Sequence, residues 1–307
     1  MVSEIKDYGA VFETLVTKTA DYLIQNNIKA QILGISGGID STVCAAICHE
    51  VSKKTGIPLI GRSLPTKYNK KGETTTADLV GKAFCTDFQT FNIGNMYENV
   101  LDELVETSEN QTPIANGNIQ ARLRMIYLYN LASIHKGIVM DTDNLTENNL
   151  GYFTIHGDVG DFNPIGGLWK TEVFGLAKYL YNYYTKQLEE TFNFKDPSTQ
   201  NLTNKANSIA LSLQLKPTAG LGITNDDLEE LGAESYEQVD NILKDILTWK
   251  DLVTNPTFDN YIEDYKNSEV PFENTPIEVV VNIAKRHFAS EFKRKHLPIK
   301  IISEIII

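Results

Sequence analysis

The sequence predicts an α/β fold, a doubly wound parallel sheet in one main domain with helical additions at its C-terminal end. Three observations predict it. Short apolar runs alternate with helix-like stretches over the first two-thirds of the chain, a strand–glycine turn–helix unit opens that alternation, and the last third reads as mostly helical. Strands separated by helical crossovers pair in parallel through right-handed connections, which places helices on both faces of the sheet.

Taken in order, residues 10–26 bring Leu15, Thr19, Tyr22 and Leu23 near one face of an opening helix. Residues 30–35 form a short apolar strand running into a glycine-rich turn, and 40–51 a helix of small and apolar residues. A second strand over 58–64 is closed by Pro65; a helix over 74–84 and a third strand over 88–93 follow. The helix over 119–135 is strongly patterned, with Met125, Leu128 and Ala132 at helical spacing. Gly137 is expected to end it before a fourth strand over 138–140. Residues 151–167 break the rhythm with five glycines, Pro164, Asp158 and Asp161, the composition of a functional loop. Helix returns over 170–184, and the polar run 196–201 reads as an exposed connection. C-terminal helices are expected over 235–249, with Ser235 as N-cap and Gln238 at the third helical position, and over 276–295. The apolar tail IKIISEIII would be an aggregation hazard if free, so it should be docked. These readings give one domain over 1–307, with the core sheet in about 28–195 and a mostly helical part in about 205–307.

Composition narrows the partners. The chain has 307 residues, 42% of them hydrophobic, enough to bury a substantial core, and a formal net charge of −12. That charge disfavours nucleic acid as the main partner, since it repels a phosphate backbone at long range. The three cysteines, Cys44, Cys48 and Cys85, form no CxxC pair and fit a reducing compartment. Cys44 and Cys48 share one helical face beside alanines and read as buried structural thiols. No secretory signal or bilayer-length apolar run is present, which points to a cytoplasmic protein without a membrane partner.

The sharpest local signal is Gly34-Ile35-Ser36-Gly37-Gly38-Ile39-Asp40-Ser41, between an apolar strand and a helix. Adjacent glycines let backbone N–H groups approach an anion closely, the helix N-terminus adds partial positive charge, and Ser36 and Ser41 add hydroxyl donors. Asp40 repels phosphate directly; its natural role is to hold Mg²⁺ against the phosphate oxygens. The pattern is neither GxxxxGK[ST] nor GxGxxG, so kinases, GTPases and Rossmann dehydrogenases are disfavoured. Taken alone, a short glycine motif is often a plain capped turn.

Ser-Gly-Gly-x-Asp-Ser resembles the pyrophosphate loop of the N-type ATP pyrophosphatases, which cleave ATP between its α and β phosphates and transfer AMP to an oxygen. Further segments narrow the resemblance. Gly117-Asn118-Ile119-Gln120-Ala121-Arg122-Leu123-Arg124-Met125, Thr142-Asp143-Asn144-Leu145-Thr146-Glu147, and Gly157-Asp158-Val159-Gly160-Asp161 with Leu168-Trp169-Lys170 are similar to blocks of the ammonia-dependent NAD synthetases. So are Lys216-Pro217-Thr218-Ala219 and Phe292-Lys293-Arg294. These blocks lie in family order and span nearly the whole chain. Singly, each of these residues is as common on a solvated helix face or in a cap; together, in order, they identify the chain as a member.

The resemblance implies an adenine nucleotide alpha hydrolase-like fold and a ligase forming a C–N bond. It implies that deamido-NAD is adenylated by ATP with Mg²⁺ present, and that ammonia then displaces AMP to give NAD. Asp40 and Glu147 are implied as metal ligands, and Asp161, Lys170 and Asp40 as catalytic residues. The loop from Gly34 to Ser41 with Thr142, Lys170 and Thr218 is implied to contact ATP, and Arg122, Asp161 and Lys293 to contact deamido-NAD. A homodimer is implied as well. No amide-hydrolysing domain is expected ahead of a phosphate loop that begins at residue 34, so the nitrogen donor should be free ammonia, or ammonia from a separate protein. The chain departs from the family pattern where Ile155 replaces a lysine, Phe292 a histidine and Lys216 a glutamate, mostly around the dinucleotide. Adenylation of another acid or of a tRNA base, and nucleotide binding without chemistry, stand as alternatives.

Overall fold

The computed structural model describes residues 5–104, 112–191, 196–216, 227–267, 272, 275–296 and 299–300. Six parallel strands form one sheet in the order β3-β2-β1-β4-β5-β6. They are β1 (Gln31–Gly34), β2 (Leu59–Ser63), β3 (Asp87–Thr90), β4 (Ile138–Met140), β5 (Phe162–Asn163) and β6 (Ile299–Lys300). Apolar runs flanked by helices produce this because a central parallel strand buries both of its faces: Ile32 and Leu33 of β1 are both 0% exposed.

On one face lie α1 (Tyr8–Gln25), α2 (Ile39–Thr55), α3 (Lys71–Phe84), α7 (Lys170–Thr191) and α8 (Pro197–Gln214), around a large core that includes Phe12, Leu33, Ile47, Phe84, Phe162 and Leu176. The other face is covered by α5 (Pro113–His135), whose Ala132 packs on Ile32, Ile60 and Val139, with α4 (Gly94–Glu103) beside it. Chain order reverses between β1 and β4, so a crevice opens at their carboxyl ends, the usual ligand position in open α/β sheets. A second core joins α6 (Leu145–Leu150) to α9 (Asp227–Leu231), α10 (Tyr236–Leu252), α11 (Phe258–Asn267) and α12 (Ile277–Ala289) through Leu150, Trp169, Val239, Leu243, Tyr261 and Ile283. A 3₁₀ turn, Glu291–His296, follows α12. None of the described helices is long and apolar enough to cross a membrane.

Several elements differ from the sequence expectation. The polar run 196–201 is not a connection: Asp196 accepts a hydrogen bond from the Ser198 N–H and caps α8, with Pro197 in its first turn. The inward face of α8 carries buried Thr199, Lys205, Ser208 and Ser212 beside an apolar row, Leu202, Ala206, Ile209 and Leu213, that packs on the main core. Helix α5 begins at Pro113, capped by Thr112, six residues before the expected start. Its left-handed end residue is Lys136 and not Gly137. A Cβ on Gly137 would stand 2.7 Å from the Ala30 carbonyl oxygen, so glycine there serves close approach to β1. Ser235 caps α10 with Gln238 N–H as donor, and Cys44 and Cys48 are both 0% exposed, as the sequence predicts. Of the tail expected to dock, β6 pairs with β5; residues 301–307 lie outside the described residues.

Candidate active site

Strand β1 ends at Gly34, and the chain turns through Ser36-Gly37-Gly38 into α2 at the sheet's order reversal. Gly37 has φ +86°, and a Cβ there would meet the Glu73 carbonyl oxygen at 2.4 Å and Ala77 N at 2.8 Å. Only glycine lets the loop press against α3 in this conformation. The hydroxyls of Ser36 and Ser41 lie 2.9 Å apart, and Gly38 N–H donates to Ser36 Oγ. Gly38 caps α2 without a side-chain partner, which leaves the first N–H groups of a 17-residue helix for an anion. From the opposite side, Ser212 of α8 donates to the Gly37 carbonyl and lies 2.7 Å from Thr42 Oγ1.

Three charged side chains meet beside this loop. Lys170, the first residue of α7, places Nζ 2.6 Å from Asp40 Oδ2 and 2.9 Å from Glu147 Oε1, with only 2% of its side chain exposed. Burial works against its charge, but the carboxylates of Asp40 and Glu147 more than offset it and hold the ammonium well above the ordinary lysine range. Burial and then Asp40 push the Glu147 carboxyl up, while Lys170 opposes them. Asn144, 0% exposed, organises the group: its Nδ2 donates to Asp40 Oδ1 at 2.8 Å, its Oδ1 accepts the Glu147 N–H, and its own N–H donates to Glu147 Oε2. This capping box locks Glu147 at the third position of α6. A third acid, Asp143, is pushed up by burial and then by Asp141, and its Oδ2 is buried with no hydrogen-bond partner among the described residues.

The remaining expected residues are placed differently. Half-buried Thr142 follows Asp141 at the end of β4. Arg122 is exposed on α5 and donates to the Ile155 carbonyl at 3.4 Å. Asp161 accepts from Tyr129 Oη at 2.7 Å and from the Val139 N–H at 3.2 Å. Lys293 donates to the carbonyls of Gly151 and Phe153 at 2.7 and 2.6 Å. No hydrogen bond or ion pair joins these three to one another or to the Asp40–Glu147–Lys170 group. Thr218 lies outside the described residues. Beside Lys293, Arg286, His287 and Arg294 also point at backbone carbonyls, those of Leu150 and Asn149, so a basic cluster closes the C-terminal end of α6.

Three residues that shape the site went unread in the sequence: Asn144, Ser212 and Tyr129. Only Asn144 left a legible trace, the Asn-x-x-Glu spacing of a capping box.

The NAD synthase family model matches residues 11–297. The NH(3)-dependent NAD(+) synthetase of Thermoplasma volcanium is 30% identical over 253 residues, covering 81% of this chain and 91% of that protein. That of Campylobacter jejuni (strain 81-176) is 33% identical over 206 residues, covering 65% of this chain and 78% of that protein. Among solved structures, the NMN synthetase of Francisella tularensis superposes with a TM-score of 0.68 at 27% identity, covering 94% of this chain and 96% of that one. With phosphate loop, carboxylates and lysine at the β1/β4 crevice and a match over almost its full length, this chain belongs to the NAD synthase family.

Proposed function

We propose that the chain is an ammonia-dependent ligase that uses ATP to amidate the nicotinate carboxylate of deamido-NAD. The observation that carries this reading is the Lys170 ammonium, buried between Asp40 and Glu147 beside the Gly37-Gly38 turn. A nicotinate oxygen attacks the α-phosphorus of ATP, the bond to the bridging oxygen of pyrophosphate breaks, and an acyl-adenylate forms. Ammonia then bonds to the acyl carbon, AMP leaves with the C–O bond pair, and the nitrogen gives up a proton. The first step needs positive charge at the departing pyrophosphate, which Lys170 and the N-terminus of α2 supply.

Asp40 and Glu147 offer hard carboxylate oxygens already converging on one cationic centre, two donors of the kind Mg²⁺ takes alongside phosphate oxygens; among the described residues no group of three or more His, Cys, Asp or Glu side chains is placed to hold a metal ion. These two residues would hold the ion, which when bound neutralises phosphate charge. The ATP contacts extend over Gly34 to Ser41, Thr142, Lys170 and Thr218. On the nicotinate side, Arg122 and Lys293 supply cations and Asp161 a carboxylate that can take the ammonium proton. The exposed apolar residues Ile114, Ile126 and Ile134 on α5, with Phe91 and Met96 beside it, support a homodimer built on that face.

One observation favours a second acid, the nicotinate mononucleotide: the nearly end-to-end likeness to the Francisella tularensis NMN synthetase. It sits with Ile155 and Phe292, which remove polar groups where the family resemblance places contacts to the larger substrate. Adenylation of a tRNA base gains nothing from the site and is not favoured. Pyrophosphate release would be followed with ATP, ammonium and either deamido-NAD or nicotinate mononucleotide, products being resolved by chromatography. NAD formation supports the main reading, NMN formation alone selects the second, and AMP formation with neither acid overturns both. Glutamine in place of ammonium should be a poor nitrogen donor.

A further inference from the structure

We propose that Asp240, on α10 in the C-terminal helical part, is a positioning residue that sets the reach of Lys170 and Glu147; the inference rests on the function proposed above. Asp240 is 1% exposed and touches neither phosphate loop nor crevice. Its Oδ1 accepts from Thr146 Oγ1 at 2.5 Å, and its Oδ2 accepts from both the backbone N–H and the hydroxyl of Thr171, at 3.0 and 2.8 Å. Thr146 Oγ1 in turn accepts the Lys170 backbone N–H at 2.8 Å. One carboxylate therefore holds the residue before Glu147 and the residue after Lys170.

The N-terminus of α7 is where this matters. A helix begins with N–H groups that lack intrahelical partners and carry partial positive charge. Here Asp240 takes the Thr171 N–H directly and the Lys170 N–H through the Thr146 hydroxyl, so the cap of α7 comes from a distant helix. A buried carboxylate with three donors admits little play, and Lys244, one turn along α10, stacks over Trp169 and holds the same junction from outside. Within the cluster Lys170 has nowhere to drift: both carboxylates it bridges are held by elements that Asp240 or Asn144 ties down. Loss of the tie lets α6 and α7 slide against each other, and a displacement of about 1 Å at a reacting centre costs on the order of a hundredfold in rate.

The test compares wild type with Asp240→Asn, Thr146→Val and Thr146→Ser, plus the double variant Asp240→Asn/Thr146→Val, using the nicotinate nucleotide that wild type accepts. Asp240→Asn should lower kcat about ten- to a hundredfold, leave the KM for the nicotinate nucleotide within about twofold, and keep the far-ultraviolet circular dichroism. Thr146→Val keeps the buried shape and should lose a similar factor, Thr146→Ser should regain most of it, and the double variant should lose no more than the larger single loss. A folded Asp240→Asn enzyme with wild-type kcat overturns the proposal, as does Thr146→Ser failing as badly as Thr146→Val. If Asp240→Asn does not fold, the Val and Ser variants decide. An inactive wild type would indict the proposed function instead, before any variant is compared.

Discussion

At the phosphate end of the crevice, Asp40, Glu147 and Lys170 are held by one another and by Asn144, with Lys170 almost wholly buried. At the proposed nicotinate end, Arg122 is exposed, and Lys293 spends hydrogen bonds on the carbonyls of Gly151 and Phe153. Phe292, which stands where the resemblance expects a histidine, is 60% exposed. The first region is held in place before any ligand arrives, one ammonium between two carboxylates. The second is open, and is where this sequence departs from the family pattern. Charge stabilisation demands fixed geometry, whereas recognition of the acid can be tuned by a few contacts.

The largest expected effect breaks the closed region. Asp40→Asn keeps the shape but removes a charge from both Lys170 and the proposed metal, and kcat should fall at least about 10²–10³-fold with the fold retained. Near-wild-type turnover at ordinary magnesium would take Asp40 out of the site. Next comes the open region. Ile155→Lys restores a cation beside Arg122, and a charge-assisted hydrogen bond worth about 1.5–3 kcal/mol should lower the KM for deamido-NAD roughly tenfold or more. The KM for ATP should stay put; equal changes in both would mean that the residue lies elsewhere than the alignment of motifs puts it.

A third prediction probes the basic cluster behind α6. Burial, Arg294 and Lys250 hold His287 down to about 3, against about 6.5 in an unfolded chain. The folded protein thus declines a proton that the unfolded chain takes, so this contribution to stability is intact above about pH 6.5 and drains away as pH falls toward 3. Denaturant titrations from about pH 7 to pH 5 should show wild type losing up to about 1.4 kcal/mol per pH unit relative to His287→Gln. Parallel curves would show that His287 is protonated in the fold. The smallest effect belongs to Ser212→Ala, which removes the contacts from α8 to Thr42 and the Gly37 carbonyl. A loss of about 0.5–1.5 kcal/mol should raise the KM for ATP about two- to tenfold and leave that for the acid unchanged.

Four of the six strands were legible because alternation of apolar runs with helical spacing is a local property, and the phosphate loop because its glycines are demanded by backbone geometry; β5 and β6, two residues each, carry no such pattern and went unread. Helix α8 went unread although Leu202, Ala206, Ile209 and Leu213 stand at helical spacing, because the polar residues among them, such as Lys205 and Ser212, are buried against partners far away in sequence, His49 and Gly37. Asp240 is invisible for the same reason: nothing in residues 236–252 says that one carboxylate of an ordinary amphipathic helix caps another helix. Motif resemblance located Asp40, Glu147 and Lys170, but only coordinates show that the lysine binds both acids, or that Lys293 is engaged by carbonyls.

That lysine bridge makes cation binding an exchange. A divalent ion approaching Asp40 and Glu147 alone would have to displace an ammonium that already offsets one of their two charges, and the displaced charge would be left buried without a counterion. Under the proposed function, an ion arriving on a triphosphate would bring the replacement with it, since phosphate oxygens would take Lys170 while the carboxylates held the metal. Such a site would admit metal and nucleotide together more readily than either one separately.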